Sequence, residues 1–256
     1  MTATFPTSLH VGPFTLYLYG VGLGVTAYVT YGYVTRRLRR RGIDVVPWPR
    51  IAIYSLLVGL MGARLAHVAT NWSYYRDTPT ELIAVWHGGL SSFGALAGAV
   101  PIALTLSRRW WPTVRLLDLL DAVVPALVAG WALGRVLGPQ FMVAGGGHET
   151  NQWFGLYYEG QLGKRVPVPL IQGAEDALLW ITLLWGEKRW SRGITTAVAM
   201  VVWGAVRAID ERLLLQQSGH VGSLAVQLTG VGLAVAGATL LLLLRTRRIK
   251  SEKLTL

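Results

Sequence analysis

Cysteine is absent from this sequence, which excludes disulfides, thiolate metal sites and a cysteine nucleophile. Charge is scarce too, at 14% of residues, where a soluble domain carries about a quarter. Too few such side chains are present to solvate the surface of a globular domain this long. Acidic residues are the scarcer sign, with 13 Asp and Glu against 24 Lys and Arg. Internal repeats and low-complexity tracts are also missing. What remains is apolar: 52% of the 256 residues are hydrophobic, gathered into stretches of about 20, the length a bilayer core of ~30 Å requires.

A net charge of +11 would suggest nucleic acid in a soluble protein, but the basic residues are placed otherwise. They form runs at 36–41 (RRLRRR), 108–115, 187–193 and 245–253, at every second junction between apolar stretches. That alternation marks the cytoplasmic side, and no nucleic-acid partner is expected. The pattern predicts an all-α membrane protein with seven transmembrane helices, at 14–35, 50–70, 88–107, 117–137, 168–186, 194–214 and 221–244. The N-terminus is then outside and the C-terminus cytoplasmic. No basic segment precedes the first apolar stretch, so that stretch reads as a retained helix rather than a cleaved signal peptide. Residues 1–256 are expected as a single membrane domain, with a small extracytoplasmic head at about 138–167 between helices four and five. Gly145–Gly147, His148 and Glu149 lie in that head, and Tyr157 and Tyr158 are expected in a short strand. Trp72, Tyr74, Tyr75 and Trp86 in the first outer loop suit an interfacial aromatic belt.

Arg64, Arg135 and Arg207 fall inside apolar spans, where a charge at the bilayer centre costs at least ~2.5–3.5 kcal/mol. At 1.5 Å per residue they lie roughly 21, 27 and 20 Å from the inner ends of their helices, in the outer half of the membrane. Glu175 and Asp176 reach a similar level from the other side, about 11 Å down, and Asp210 and Glu211 follow Arg207. Arginine binds phosphate bidentately, so this belt is a candidate site for an outer-leaflet lipid phosphate. The competing reading is a set of structural ion pairs, including Arg207 with Glu211 one helical turn on. The small residues of GGLSSFGALAG (88–98) allow close backbone approach between helices, or room for lipid.

In order along the chain, the motifs resemble the prolipoprotein diacylglyceryl transferases. LHVGPFTLYLYG (9–20), with Tyr19, resembles the family's opening segment, and GARL (62–65) its second-span motif. WHGGLSSFGALAG (86–98) is similar to the family's W-x-G-G-M-S-F-H-G-G-x-x-G. GR (134–135) opens the signature G-R-I-G-N-F, and RVPVPLIQG (165–173) resembles R-H-P-x-Q-L-Y-E-x. WGAVRAIDER (203–212) and GHVGSLAVQ (219–227) resemble the sixth-span and following motifs. Four positions depart: Gly138 stands where the signature has Asn, Phe93 where it has His, Gln172 where it has Glu, and the acidic residue of the family's next stretch has no clear counterpart, with Val143 near its place.

The resemblance implies transfer of a diacylglyceryl group from phosphatidylglycerol to the lipobox cysteine thiol of prolipoproteins, at the outer face of the bacterial cytoplasmic (inner) membrane. It implies phosphatidylglycerol, prolipoprotein signal peptides and membrane lipids as partners, with no cofactor and no metal. Arg135 and Arg207 are expected on the phosphate, with Glu211 orienting Arg207 and His148 as candidate base (His87 is the second). Arg64, Tyr19, Gly88, Gly89, Ser91, Phe93, Gly94, Gly138 and Gln172 are expected to line the substrate. Two other classes fit the same residues. One is a catalytically inactive homologue that binds lipid or lipoprotein as a scaffold, the other a small anion or lipid transporter.

Overall fold

The computed structural model describes residues 4–83, 89–213 and 220–254. Seven helices of 19 residues or longer are present among them: α1 Leu18–Arg40, α2 Trp48–Thr70, α4 Ser92–Trp110, α5 Leu116–Leu137, α6 Val168–Gly186, α7 Ile194–Leu213 and α8 His220–Leu254. A short helix, α3 Trp72–Asp77, follows α2. The helices fall on the predicted apolar stretches, with shifts at the ends. The first stretch does not begin as helix at 14. Ser8–Val11 (β1) and Phe14–Tyr17 (β2) pair antiparallel instead, around a two-residue Gly12-Pro13 loop with Gly12 at φ +60, a glycine-favoured hairpin geometry. Helix α4 starts later than expected because Ser91 caps it, its hydroxyl accepting from the Gly94 amide, which is the standard use of serine at that position.

Among the described residues, three helical stretches are long and apolar enough to cross a membrane by length and composition, Trp48–Thr70, Leu116–Phe141 and Ser223–Thr246. Side-chain placement agrees with an apolar surround. Tyr28, Leu65, Leu178, Leu228 and Leu242 are exposed on helix faces, while Arg37, Arg64, Asp121, Asp176, Arg207 and Asp210 are buried. In water that distribution would be inverted.

The chain divides into two compact units, one formed by residues 1–37 and 120–256, the other by 38–119. In the second unit α2 packs along α4, and Gly62 meets Gly94 so closely that a Cβ on Gly94 would stand 2.2 Å from the Gly62 carbonyl oxygen. This is the close backbone approach that small residues permit. In the first unit α7 packs along α8 and also touches α6. Val128, Leu179, Leu183 and Ala199 form its apolar core, with Trp180, Trp190 and Trp203 against them.

The far end of the first unit is fastened by polar contacts. Asp121, buried in α5, accepts from the Gly193 and Thr196 amides at 2.6 and 2.9 Å and from the Thr196 hydroxyl at 2.6 Å. It thereby satisfies the amides that the first turn of α7 leaves without helical partners. Arg37 of α1 donates to the Ala122 and Asp121 carbonyls and pairs with Glu187 at 2.6 Å.

The 138–167 segment holds no long helix. Glu149 and Leu156 each bridge to Arg165, so the strand expected at Tyr157 and Tyr158 does not form. Tyr157 instead meets the N-terminal segment, its carbonyl accepting from the Thr4 amide at 2.8 Å. Tyr158 is buried and donates to Gln140 Oε1 at 2.9 Å. Burial pushes its phenol up to about 12.

Candidate functional site

Helical spacing assembles the charged cluster of the first unit. On α6, Gln172, Glu175 and Asp176 are three and four residues apart and share a face. On α7, Arg207 and Asp210 do the same. The two faces meet: Arg207 Nη2 lies 3.3 Å from Glu175, 3.4 Å from Asp176 and 3.3 Å from Asp210. Gln172 donates to Asp210 Oδ2 at 3.0 Å. Three carboxylates thus share one nitrogen at distances longer than the ~2.7–2.9 Å of a strong charge-assisted bond. Arg207 is 4% exposed, and its Nε and Nη1 have no hydrogen-bond partner.

Arg135 of α5 joins the same cluster, within electrostatic range of Arg207, Asp176, Asp210 and Tyr19. Each arginine stands over a tryptophan one turn earlier on its own helix: Arg135 over Trp131 at 5.7 Å and Arg207 over Trp203 at 5.9 Å. The two indoles meet edge to face at 5.2 Å. This aromatic floor attracts both guanidiniums by their quadrupole fields and limits where they can swing.

Glu211 does not orient Arg207. Its carboxyl lies beside Ser223 of α8, and Arg207 is held by carboxylates from α6 and by Asp210. The i,i+4 pair lost to tertiary partners that reach the guanidinium from a neighbouring helix.

Arg64 belongs to the second unit. Its Nε donates to the Leu82 carbonyl and its Nη1 to the Gly89 carbonyl, both at 3.0 Å, and Nη2 donates to the Glu81 carbonyl. The guanidinium also stands over the Tyr75 ring at 5.1 Å. Backbone acceptors engage all three of its nitrogens, so Arg64 fastens the segment after α3 instead of offering a free fork. Gly89, at φ +71, packs against it, and a Cβ there would lie 2.9 Å from Arg64 Nη1. Ser91 and Gly94 serve the α4 cap and the α2 contact, and Phe93 is half-buried. His87, Gly88 and Trp86 lie outside the described residues.

In the first unit, Gln172 is buried and Tyr19 half-buried beside Arg135. Gly138 replaces the signature Asn at a point where a Cβ would stand 2.7 Å from the Gly134 carbonyl oxygen, so the backbone here is shaped for glycine. His148 is exposed, its Nδ1 3.2 Å from the Glu149 carbonyl oxygen. Among the described residues no group of His, Asp and Glu is arranged to hold a metal ion.

A family model described as prolipoprotein diacylglyceryl transferase matches residues 6–243. The chain belongs to this family. Similar proteins named phosphatidylglycerol–prolipoprotein diacylglyceryl transferase include one from Thermus thermophilus, 36% identical over 50% of this chain and 45% of its own length. The chain thus spans about half the length of that relative. Those from Symbiobacterium thermophilum and Cutibacterium acnes are each 28% identical, over 92% and 94% of this chain and 91% and 85% of their own lengths. Within this member of the family, sequence reasoning missed the tryptophan floor and the Asp121 cap. The first had a signal, since WALGR (131–135) and WGAVR (203–207) repeat the same W-x-x-x-R spacing on two helices. Asp121 had a weaker one, a carboxylate inside an apolar stretch.

Proposed function

We propose that this chain transfers the diacylglyceryl group of phosphatidylglycerol to the cysteine thiol of prolipoprotein lipoboxes. It does so from seven spans in the bacterial cytoplasmic membrane, N-terminus outside, with the 138–167 head on the outer face. Seven long helices and the alternation of basic runs support that topology. The observation that carries the activity is the buried Arg207 with two unclaimed donors, set beside Arg135 on a shared tryptophan floor.

In the reaction the cysteine sulfur, as thiolate, bonds to the glyceryl carbon that carries the phosphate ester. The carbon–oxygen bond breaks, and its electron pair leaves with glycerol phosphate. Arg207 and Arg135 stabilise the charge gathering on that phosphate, the kind of preorganised electrostatic help that lowers such barriers most. A thiol must first lose its proton, since the thiolate is the nucleophile. His148, exposed on the head, is the proposed acceptor, with the half-exposed Glu175 as the alternative inside the cluster. Tyr19, Gln172 and the Gly138 backbone line the lipid side of Arg135, and Arg64 fastens a loop within its own unit.

Purified protein incubated with acyl-labelled phosphatidylglycerol and a lipobox peptide tests this reading. The peptide should gain the label through a thioether. Bound lipid with no label on the peptide would instead favour the scaffold. Reporter fusions at Arg40, Arg109, Lys188 and Lys250 should read cytoplasmic and one at Gly160 external; a cytoplasmic signal at Gly160 would overturn the topology.

A further inference from the structure

Four polar atoms in the cluster are buried without a hydrogen-bond partner among the described residues: Arg207 Nε, Arg207 Nη1, Gln172 Oε1 and Asp176 Oδ2. Their residues are 4%, 3% and 2% exposed. Buried polar groups are normally satisfied, and four lapses on three neighbouring residues is a concentration that a ligand would relieve. The unclaimed atoms also sort by kind. Two are donors, on one guanidinium. Two are acceptors, on residues one turn apart on α6. The sorting does not depend on how the Gln172 amide is turned, because Asp210 can only accept. Gln172 Nε2 must face Asp210 Oδ2, which leaves Oε1 as the unclaimed acceptor.

A phosphodiester brings acceptors only, and a glycerol head group brings two hydroxyl donors. We infer that Gln172 and Asp176 read the free hydroxyls of the phosphatidylglycerol head group while Arg207, through a donor it has left unclaimed, holds its phosphate. The inference rests on the proposed lipid substrate and adds the residues that select its head group. The three carboxylates crowd Nη2, the nitrogen common to both bidentate edges of the guanidinium, and leave Nε and Nη1 each as a single open donor. Glu175, the most exposed of these carboxylates at 33%, marks the side from which a head group enters. Its displacement from Nη2 admits the phosphate. A site built to hydrogen-bond hydroxyls rejects an analogue lacking them, because its own buried acceptors are then left unpaired.

The test uses the full chain in phosphatidylcholine nanodiscs doped with equal phosphatidylglycerol and phosphatidylpropanol, which share the phosphodiester and differ in the hydroxyls. Retained lipid is measured by native mass spectrometry. The wild type should favour phosphatidylglycerol about tenfold or more. Gln172→Leu should bring that ratio down toward one, and so should the near-isosteric Asp176→Asn if the leucine variant fails to fold. Equal retention by the wild type, or an unchanged ratio in the folded variants, overturns the inference. Transfer of label to a lipobox peptide is read from the same preparations. No transfer from either lipid, with the binding preference intact, refutes the transferase reading and leaves the head-group selection standing.

Discussion

Replacing Arg207 by lysine separates its two jobs. The side chain is 4% exposed and neutralises Glu175, Asp176 and Asp210 through one nitrogen, Nη2. A lysine ammonium carries the same charge and can occupy that one position. Removing the charge altogether would leave two buried carboxylates, Asp176 and Asp210, and the half-exposed Glu175 without it, the kind of change that costs about 3–5 kcal/mol. Arg207→Lys avoids most of this, and its protein level and thermal midpoint should stay near those of the wild type. What lysine cannot supply is the further donors, Nε and Nη1, that the guanidinium leaves unclaimed. One charge-assisted hydrogen bond to phosphate is worth about 1.5–3 kcal/mol, which at ~1.36 kcal/mol per factor of ten predicts transfer slower by roughly 10- to 150-fold. The assay is the initial rate of label transfer to a lipobox peptide, normalised to folded protein. Wild-type rate in the lysine variant would show Arg207 to be a structural cation only, and the phosphate assignment would fail.

Asp121→Ala removes the side chain that three donors of the α7 start share. It should lower stability by about 1–3 kcal/mol, read as a lower unfolding midpoint in detergent, with transfer per folded molecule unaltered; an unchanged midpoint would deny the cap its role. His148→Gln should stop transfer while leaving phosphatidylglycerol bound. Persistent transfer in that variant would move the base assignment to Glu175. Tyr158 gives a pH signature. Its folded value of about 12 lies above the ordinary 10.0, so the folded state keeps a proton that the unfolded chain loses. This contribution is fully present below about 10 and is lost as pH rises towards about 12. An absorbance titration should lose a late tyrosinate step in Tyr158→Phe, and an unchanged titration in that variant would assign the step elsewhere.

Much of this was legible in the sequence because the dominant forces there are local or periodic. Apolar length and the alternation of basic runs placed the seven helices, and buried charge at similar depth picked out Arg135, Arg207, Glu175, Asp176 and Asp210 before any contact was known. The failures share a cause. Arg64 looks like Arg207 in sequence, yet its partners are carbonyls of Glu81, Leu82 and Gly89, and backbone acceptors leave no mark in residue type. Glu211 sits at a helical spacing from Arg207 but turns to Ser223, because three nearer carboxylates already hold the guanidinium. The first helix starts at Leu18 because the Gly12-Pro13 turn closes a hairpin from residues apolar enough to read as span.

The central claim is that the Arg135–Arg207 pair stabilises phosphate charge during transfer, and Arg135→Gln tests it most directly. Transfer rate and bound phosphatidylglycerol are measured side by side in the wild type and the variant. An interaction made mainly in the transition state lowers turnover more than binding, and a preorganised donor of this kind is worth ~2.7–4 kcal/mol. The variant should therefore retain lipid yet transfer its label about a hundredfold or more slowly. Equal rates in the two proteins, with equal folded protein, would contradict the claim.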